Sequence, residues 1–111
     1  MPGKQEIGPG KALELTQRIS WAKEGLAEID DLKARVRNLT ADQQKMKIEF
    51  AAMLRAVTFN EALNTVQKDY TTFLQNPSVD NMSMCERTRR TLVNVKYHLG
   101  VQEILKSSSS S

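Results

Sequence analysis

The side chains that most often do nucleophilic or acid–base chemistry are scarce in this sequence. His98 is the only histidine and Cys85 the only cysteine among 111 residues. A thiol beside an imidazole would supply a nucleophile and its base, but these two residues are thirteen positions apart. On one helix that offset separates them by about 140° around the axis and by ~20 Å along it. They therefore cannot act as a pair, and we expect a protein without enzymatic activity.

Sites for metals, cofactors and small substrates are no better supported. A single cysteine excludes an intramolecular disulfide and a zinc site built on cysteines. Gly8-Pro9-Gly10 is the nearest approach to a phosphate-binding loop, but it lies in a terminal segment. The acidic pair Asp30–Asp31 has no further ligand nearby. We expect no cofactor, no metal and no small-molecule substrate, and we interpret Cys85 as a small core residue.

Four basic residues near the C-terminus suggest contact with nucleic acid: Arg87, Arg89, Arg90 and Lys96. At 100° per residue Arg89 and Lys96 nearly coincide, whereas Arg87 and Arg90 point to the other side, where Glu86 can pair with Arg90. The net charge is only +3, from 16 basic and 13 acidic side chains, and the excess is spread along the chain. Nucleic-acid-binding proteins usually carry a clustered excess. Nucleic-acid binding by the third helix is therefore the alternative function.

An apolar stripe with heptad spacing dominates the first half of the chain. Its members follow one another at alternating steps of three and four, and only one is polar: Ile29, Leu32, Val36, Leu39, Gln43, Met46, Phe50, Met53 and Val57. A stripe this narrow is typical of a seam between helices. It predicts one helix from about residue 12 to 57, nearly 70 Å long, that forms a stalk and joins a bundle after Met46.

The charges beside the stripe favour a parallel homo-oligomer. In a parallel pair Glu28 would face Lys33 and Asp42 would face Lys47, and both pairs are opposite in sign. Gln43 would be satisfied by its twin on the partner chain. The mixed residue types at the core positions leave dimer, trimer and tetramer open. In the alternative interpretation, the stripe packs against the later helices of its own chain, which together hold only about forty residues.

Two shorter helices complete the predicted all-α fold, a coiled-coil stalk followed by a helical hairpin or bundle. Thr58-Phe-Asn-Glu61 is a capping box that opens a helix at about 59–75, and Pro77 ends it. Ser83-Met-Cys-Glu86 is another, opening a helix at about 84–105, in which Gly100 is either the cap or an internal glycine. We find no strand pattern. A competing interpretation ends the first helix at 38–40, because Thr40-Ala-Asp-Gln43 also resembles a capping box.

Composition divides the chain into one domain with two tails. Residues 1–10 are rich in glycine and proline and are predicted to be a disordered arm; residues 107–111 are all serine and are predicted to be a disordered tail. A single helical domain is expected at 11–106. The sequence has no apolar run of about 18–20 residues and no signal peptide, so we expect an intracellular protein, cytoplasmic rather than nuclear.

Trp21 is the residue that we expect to contact a partner protein. It lies off the stripe near Gly25, and an exposed tryptophan on a rod is unfavourable unless something covers it. The alternative is that it packs across the oligomer seam. The sequence thus predicts an assembly, scaffold or adaptor protein that self-associates through its coiled coil and engages other proteins through its helices. A tether that pairs with foreign heptads is a further possibility.

Overall fold

A computed structural model describes residues 8–50 and 53–110, without the side chains of 47–50, 53, 54, 109 and 110. The chain forms three helices, which we label α1 (Pro9–Arg37), α2 (Phe59–Gln75) and α3 (Met82–Ser110). Two strands, β1 (Lys45–Phe50) and β2 (Met53–Thr58), lie between α1 and α2. The prediction of a long N-terminal helix followed by two packed helices is confirmed, whereas a coiled coil is not shown.

The first helix ends twenty residues earlier than predicted, at Arg37 rather than at residue 57. A 3-10 turn follows, in which the Gln44 side-chain amide donates to the Val36 carbonyl at 3.3 Å. The same carbonyl also accepts a hydrogen bond from the Leu39 N–H at 2.9 Å, so the Gln44 amide adds a second hydrogen bond at the end of α1. Thr40 and Gln43 exchange side-chain-to-backbone hydrogen bonds, each 3.2 Å long. The competing interpretation was therefore right about the break, although only a 3-10 turn and no α-helix follows it before β1.

The absence of strands was a wrong prediction. In β1 the polar and apolar residues alternate as Lys-Met-Lys-Ile-Glu-Phe, which is the period of a strand. β1 pairs antiparallel with β2, with Met46 opposite Val57 and Phe50 opposite Met53. Within each strand the two stripe residues are four positions apart, a spacing that fits one face of a strand as well as a heptad. Lys45–Phe50 and Met53–Thr58, which were predicted to continue or to end the first helix, are therefore paired strands.

The hydrophobic core lies among the three helices of a single chain. Each helix contributes buried side chains, among them Ile29, Leu32 and Val36 from α1, Phe59, Leu63, Val66, Tyr70 and Phe73 from α2, and Cys85, Leu92, Val95 and Leu99 from α3. Full burial of one large apolar side chain contributes about 1.5–3 kcal/mol. Leu39 and Met46 also belong to this core, and Val57 packs against it. The described part of the stripe is thus covered within one chain, as in the alternative left open above.

Helices α1 and α3 run in the same direction, side by side. Three ion pairs join residues 68 positions apart, namely Arg18–Glu86, Glu28–Lys96 and Arg35–Glu103. A constant offset is possible only between parallel helices in a fixed register. The Lys106 ammonium, which donates to the Asn38 carbonyl, repeats the same offset. Ion pairs at the surface contribute little free energy each, so their main effect here is to specify this register.

The boundaries of α2 agree with the prediction, and those of the tails do not. Thr58 and Glu61 form the capping box, with bonds of 3.0 and 2.9 Å, and α2 spans Phe59–Gln75.

The predicted arm is shorter than expected, because Pro9 and Gly10 lie in the first turn of α1. Residues 1–7 of the predicted arm lie outside the described residues. α3 continues through Gly100 as far as Ser110, and the predicted disordered tail is helical up to that residue.

α3 also begins differently from its prediction. It starts at Met82, directly after a 3-10 turn at Val79–Asn81, so Ser83 is already inside the helix and cannot cap it. The Ser83 hydroxyl accepts a hydrogen bond from Arg87 instead, and Glu86 pairs with Arg18.

Within the described residues, none of the helices combines the length and the hydropathy that a bilayer crossing requires.

Candidate functional site

Two adjoining cavities lie between α1 and α3. The larger, of about 430 Å³, is lined by Arg18, Trp21, Glu86, Arg89, Arg90, Val93 and Asn94. The smaller, of about 150 Å³, shares Trp21, Arg89 and Val93 with it and extends toward Gly25, Glu28, Tyr70 and Lys96. We call the two together the α1–α3 groove. The parallel packing of the two helices positions every one of these side chains except that of Tyr70, which reaches the groove from α2.

Trp21 lies in this groove against two guanidinium groups. The Cζ atom of Arg18 is 4.6 Å from the centroid of the indole ring, and that of Arg89 is 4.1 Å from it. Cations at such distances are attracted by the ring quadrupole, with about 0.5–1 kcal/mol for an exposed pair. The indole is half-buried by these contacts within its own chain. The residue predicted to contact a partner is therefore held in place on an open surface.

The groove carries a net positive charge. Arg18 donates from Nε to the Glu86 carboxylate at 3.2 Å and pairs with it through Nη2 as well. These hydrogen bonds hold the pKa of Glu86 below its ordinary value, and the charge of Arg90 lowers it further. Within the described residues, Arg89 and Arg90 form no ion pair of their own. The larger cavity thus holds three guanidiniums against one carboxylate.

Three of the four residues considered for nucleic-acid binding, Arg89, Arg90 and Lys96, line the α1–α3 groove. Arg89 and Arg90 both line the larger cavity. Arg87 donates to a serine hydroxyl one turn earlier on its own helix, at 3.1 Å. Lys96 is committed to Glu28 on α1, at 2.7 Å. The helical angles grouped Arg90 with Arg87 and paired it with Glu86; in the structure Arg90 shares a cavity with Arg89, and Glu86 pairs with Arg18.

Tyr70 and Gly25 form the floor of the smaller cavity. A side chain at Gly25 has no room, because its Cβ would lie 2.9 Å from Cδ2 of Tyr70, closer still to Cε2, and 3.2 Å from Cδ2 of Leu92. The Tyr70 ring is 1 % exposed, and its burial raises the pKa of the phenol to about 12. The missing side chain at Gly25 is what allows α2 to place an aromatic ring beneath the groove.

An exposed apolar line on α3 continues from the groove. Val93, Tyr97 and Ile104 are 53 %, 68 % and 67 % exposed. Their positions on a continuous helix fall within about 40° of one another, so they share one face. Sequence analysis did not single out this line, which lies on the face of α3 opposite the buried residues. Exposed apolar residues that share one face are candidates for an interaction surface.

Cys85 and His98 are not brought together. Both lie on the continuous helix α3, and thirteen residues separate them by ~20 Å along its axis. Cys85 is fully buried, its Sγ donates to the Arg18 carbonyl at 3.5 Å, and burial raises the pKa of the thiol to about 11. His98 stacks edge-on against Tyr97. No three His, Cys, Asp or Glu side chains within the described residues are grouped to hold a metal ion.

Comparisons with known proteins add no relative to this description. No protein-family model matches the chain, and no curated protein or solved structure shows significant similarity to it.

Proposed function

We propose that this protein is a non-enzymatic adaptor that binds another protein along α3 and the α1–α3 groove. The observation that carries the proposal is the exposed line of Val93, Tyr97 and Ile104, which continues into a cavity containing the only tryptophan. Leaving such a line in water is unfavourable, and a partner that covers it recovers about 25 cal/mol for each square ångström of apolar surface.

The residue types of this surface suit a protein partner. Tryptophan, tyrosine and arginine are enriched at the energetic centres of protein interfaces. Here Trp21, Arg89 and Arg90 line one cavity, Tyr97 lies two turns further along α3, and three interhelical ion pairs hold α1 and α3 in register. A preformed surface of this kind binds without a large ordering cost.

The predicted parallel oligomer does not enter this proposal. Ile29, Leu32 and Val36 are at most 2 % exposed, and Leu39 and Met46 are also buried in the core of one chain. A seam through these residues would require the bundle to open. The adaptor role therefore rests on α3, and its partner is a different protein.

A photo-crosslinking experiment tests the adaptor proposal. Benzoylphenylalanine replaces Tyr97 in the full chain, expressed in its own cells, and the matched control places the same group at Gln67, an exposed position of α2. We expect irradiation to give one or a few discrete heavier adducts from position 97 and none of them from position 67. The absence of adducts at 97, or the same adducts from both positions, would contradict the proposal.

A further inference from the structure

The chemistry of the α1–α3 groove also identifies the class of partner segment, on the premise that the proposed function holds. We infer that the partner contributes an amphipathic helix whose acidic end lies at Arg89 and Arg90 and whose apolar face covers Val93, Tyr97 and Ile104. Two observations support the inference: the length and form of the exposed surface along α3, and the uneven distribution of charge on that surface.

The shape fits a helix of about five turns. From Glu86 to Ile104 the surface follows α3 for eighteen residues, which corresponds to ~27 Å. Gly100 lies on the same face between Tyr97 and Ile104, and nothing lies within 4 Å of where its Cβ would be. A helix can approach another backbone closely at such a glycine. Helices that dock in this way present apolar side chains at every third or fourth position.

The positive charge at one end of the surface favours a partner with carboxylates at the matching end. In the larger cavity Arg18 is paired with Glu86, which leaves Arg89 and Arg90 as the guanidiniums without an ion pair in the described part of the chain. The smaller cavity adds one carboxylate that forms no ion pair with another described residue, that of Glu24, so the two arginines keep this end of the surface positive. Guanidinium groups bind carboxylates with two parallel hydrogen bonds, and the partly enclosed groove strengthens such pairs. Beyond Arg90 the surface runs ~21 Å to Ile104, and the charged side chains beside it, Lys96 and Glu103, are each paired with a residue of α1.

This distribution disfavours nucleic acid as the occupant. A nucleic-acid backbone presents a phosphate at every few ångströms and is bound by cations along its path. Among the described residues of this surface, the cations without an ion pair, Arg89 and Arg90, are at one end, and Lys96, the next basic residue, is paired with Glu28. An acidic helix needs its charge at one end only, which also determines its direction on α3.

Selection from a peptide library tests the inference directly. A display library of 20-residue helical peptides, randomised at all exposed positions, is selected on the immobilised full chain. We expect the enriched sequences to combine an apolar stripe with two or more acidic residues at one end. Because Trp21 is the only tryptophan, its fluorescence in the free protein should shift when such a peptide binds.

Matched variants locate the binding site. The double variant Arg89→Gln/Arg90→Gln should weaken binding of an enriched peptide more than tenfold, since a hydrogen bond to a charged group contributes about 1.5–3 kcal/mol. Arg87→Gln, on the same helix but outside the cavities, should change the Kd less than twofold. Circular dichroism of each variant verifies that the helices are retained.

The possible failures are distinguishable. Two results would overturn the acidic-helix inference and leave the adaptor function standing: enriched peptides without acidic residues, or a Kd that is unchanged in Arg89→Gln/Arg90→Gln but rises in Tyr97→Ala. If the Kd is unchanged in Tyr97→Ala and position 97 gives no cross-link, both the inference and the adaptor function are overturned. If a single-stranded DNA probe binds in a salt-sensitive way and this binding is lost in the double variant, the occupant of the surface is nucleic acid and not an acidic helix.

Discussion

Gly25 offers the sharpest test of the packing between α1 and α2. In an isolated helix, replacing glycine with alanine raises stability by about 1 kcal/mol. At this position the new Cβ would lie 2.9 Å from Cδ2 of Tyr70 and closer still to Cε2, well inside the ~3.5–4.0 Å at which carbon atoms make favourable contact. The Tyr70 ring is buried by the core on its other sides.

The magnitude follows from two opposing effects. Adding carbon to a filled core costs about 1–3 kcal/mol, and a contact this close places Gly25→Ala near the upper end of that range. After subtraction of the propensity gain of ~1 kcal/mol, we expect the free energy of unfolding to fall by about 2 kcal/mol. Gly100→Ala is the matched control, since its Cβ would meet nothing within 4 Å. It should raise stability by ~0.5–1 kcal/mol.

Urea unfolding followed by circular dichroism measures both changes. With an m-value of about 1–2 kcal/mol/M, Gly25→Ala should lower the midpoint by roughly 1–2 M. Tyr70→Leu replaces the ring with a smaller side chain and should destabilise the protein by itself. In the Tyr70→Leu background, however, Gly25→Ala should leave the free energy of unfolding unchanged or raise it, because the ring that the new Cβ would meet is gone. If Gly25→Ala stabilised the protein as much as Gly100→Ala does, the close packing of α1 on Tyr70 would be refuted and a free-standing first helix favoured.

Three further predictions concern local interactions. The pKa values of Glu86 and Glu103 are lowered by hydrogen bonds from Arg18 and Arg35, so their stabilisation is complete above the ordinary pKa of 4.5 and is lost as pH falls through the lowered values. Urea midpoints should therefore drop below pH 4.5, and less so in Glu103→Gln; an equal drop would contradict this coupling. Cys85 should react with a disulfide reagent at pH 8 much more slowly in the native protein than in urea, because its pKa is about 11 and it is buried; equal rates would contradict its burial. Thr58→Ala should cost about 1 kcal/mol by removing a capping box, whereas Ser83→Ala, inside α3, should cost far less; equal losses would contradict this assignment.

Part of the fold was predictable because local chemistry decides it. The capping box at Thr58 and the proline at position 77 bound α2 through interactions between residues close in sequence. The apolar spacing from Ile29 to Val36 correctly indicated a helix that is buried along one narrow face. Signals of this kind depend on short-range geometry and hold whatever packs against them.

The hairpin was missed because two periods coincide. Met46 and Phe50 are four positions apart, and so are Met53 and Val57. Residues at this spacing lie on the same face of a strand, and the spacing also fits a heptad repeat. The alternation of Lys45–Phe50 was the available signal, and the break at Thr40–Gln43 was the point at which to look for it. A stripe that continues through a turn signal does not prove one continuous element.

The site was only half predictable, since it depends on long-range packing. Trp21 and Arg89 are 68 positions apart in sequence, and nothing near either residue indicates that they meet. The recurring offset between charges of opposite sign at Arg18–Glu86, Glu28–Lys96 and Arg35–Glu103 was present in the sequence. It becomes a signal only once α1 and α3 are known to be parallel.

The solution mass tests the central claim most directly, that the apolar stripe of α1 is the core of one chain and the binding surface is on α3. Sedimentation equilibrium at several concentrations, without any partner, should give a single species at 12.5 kDa. A stable mass at two to four times that value, persisting at low micromolar concentration, would contradict the account and return the stripe from Ile29 to Val57 to its predicted role as an oligomer seam.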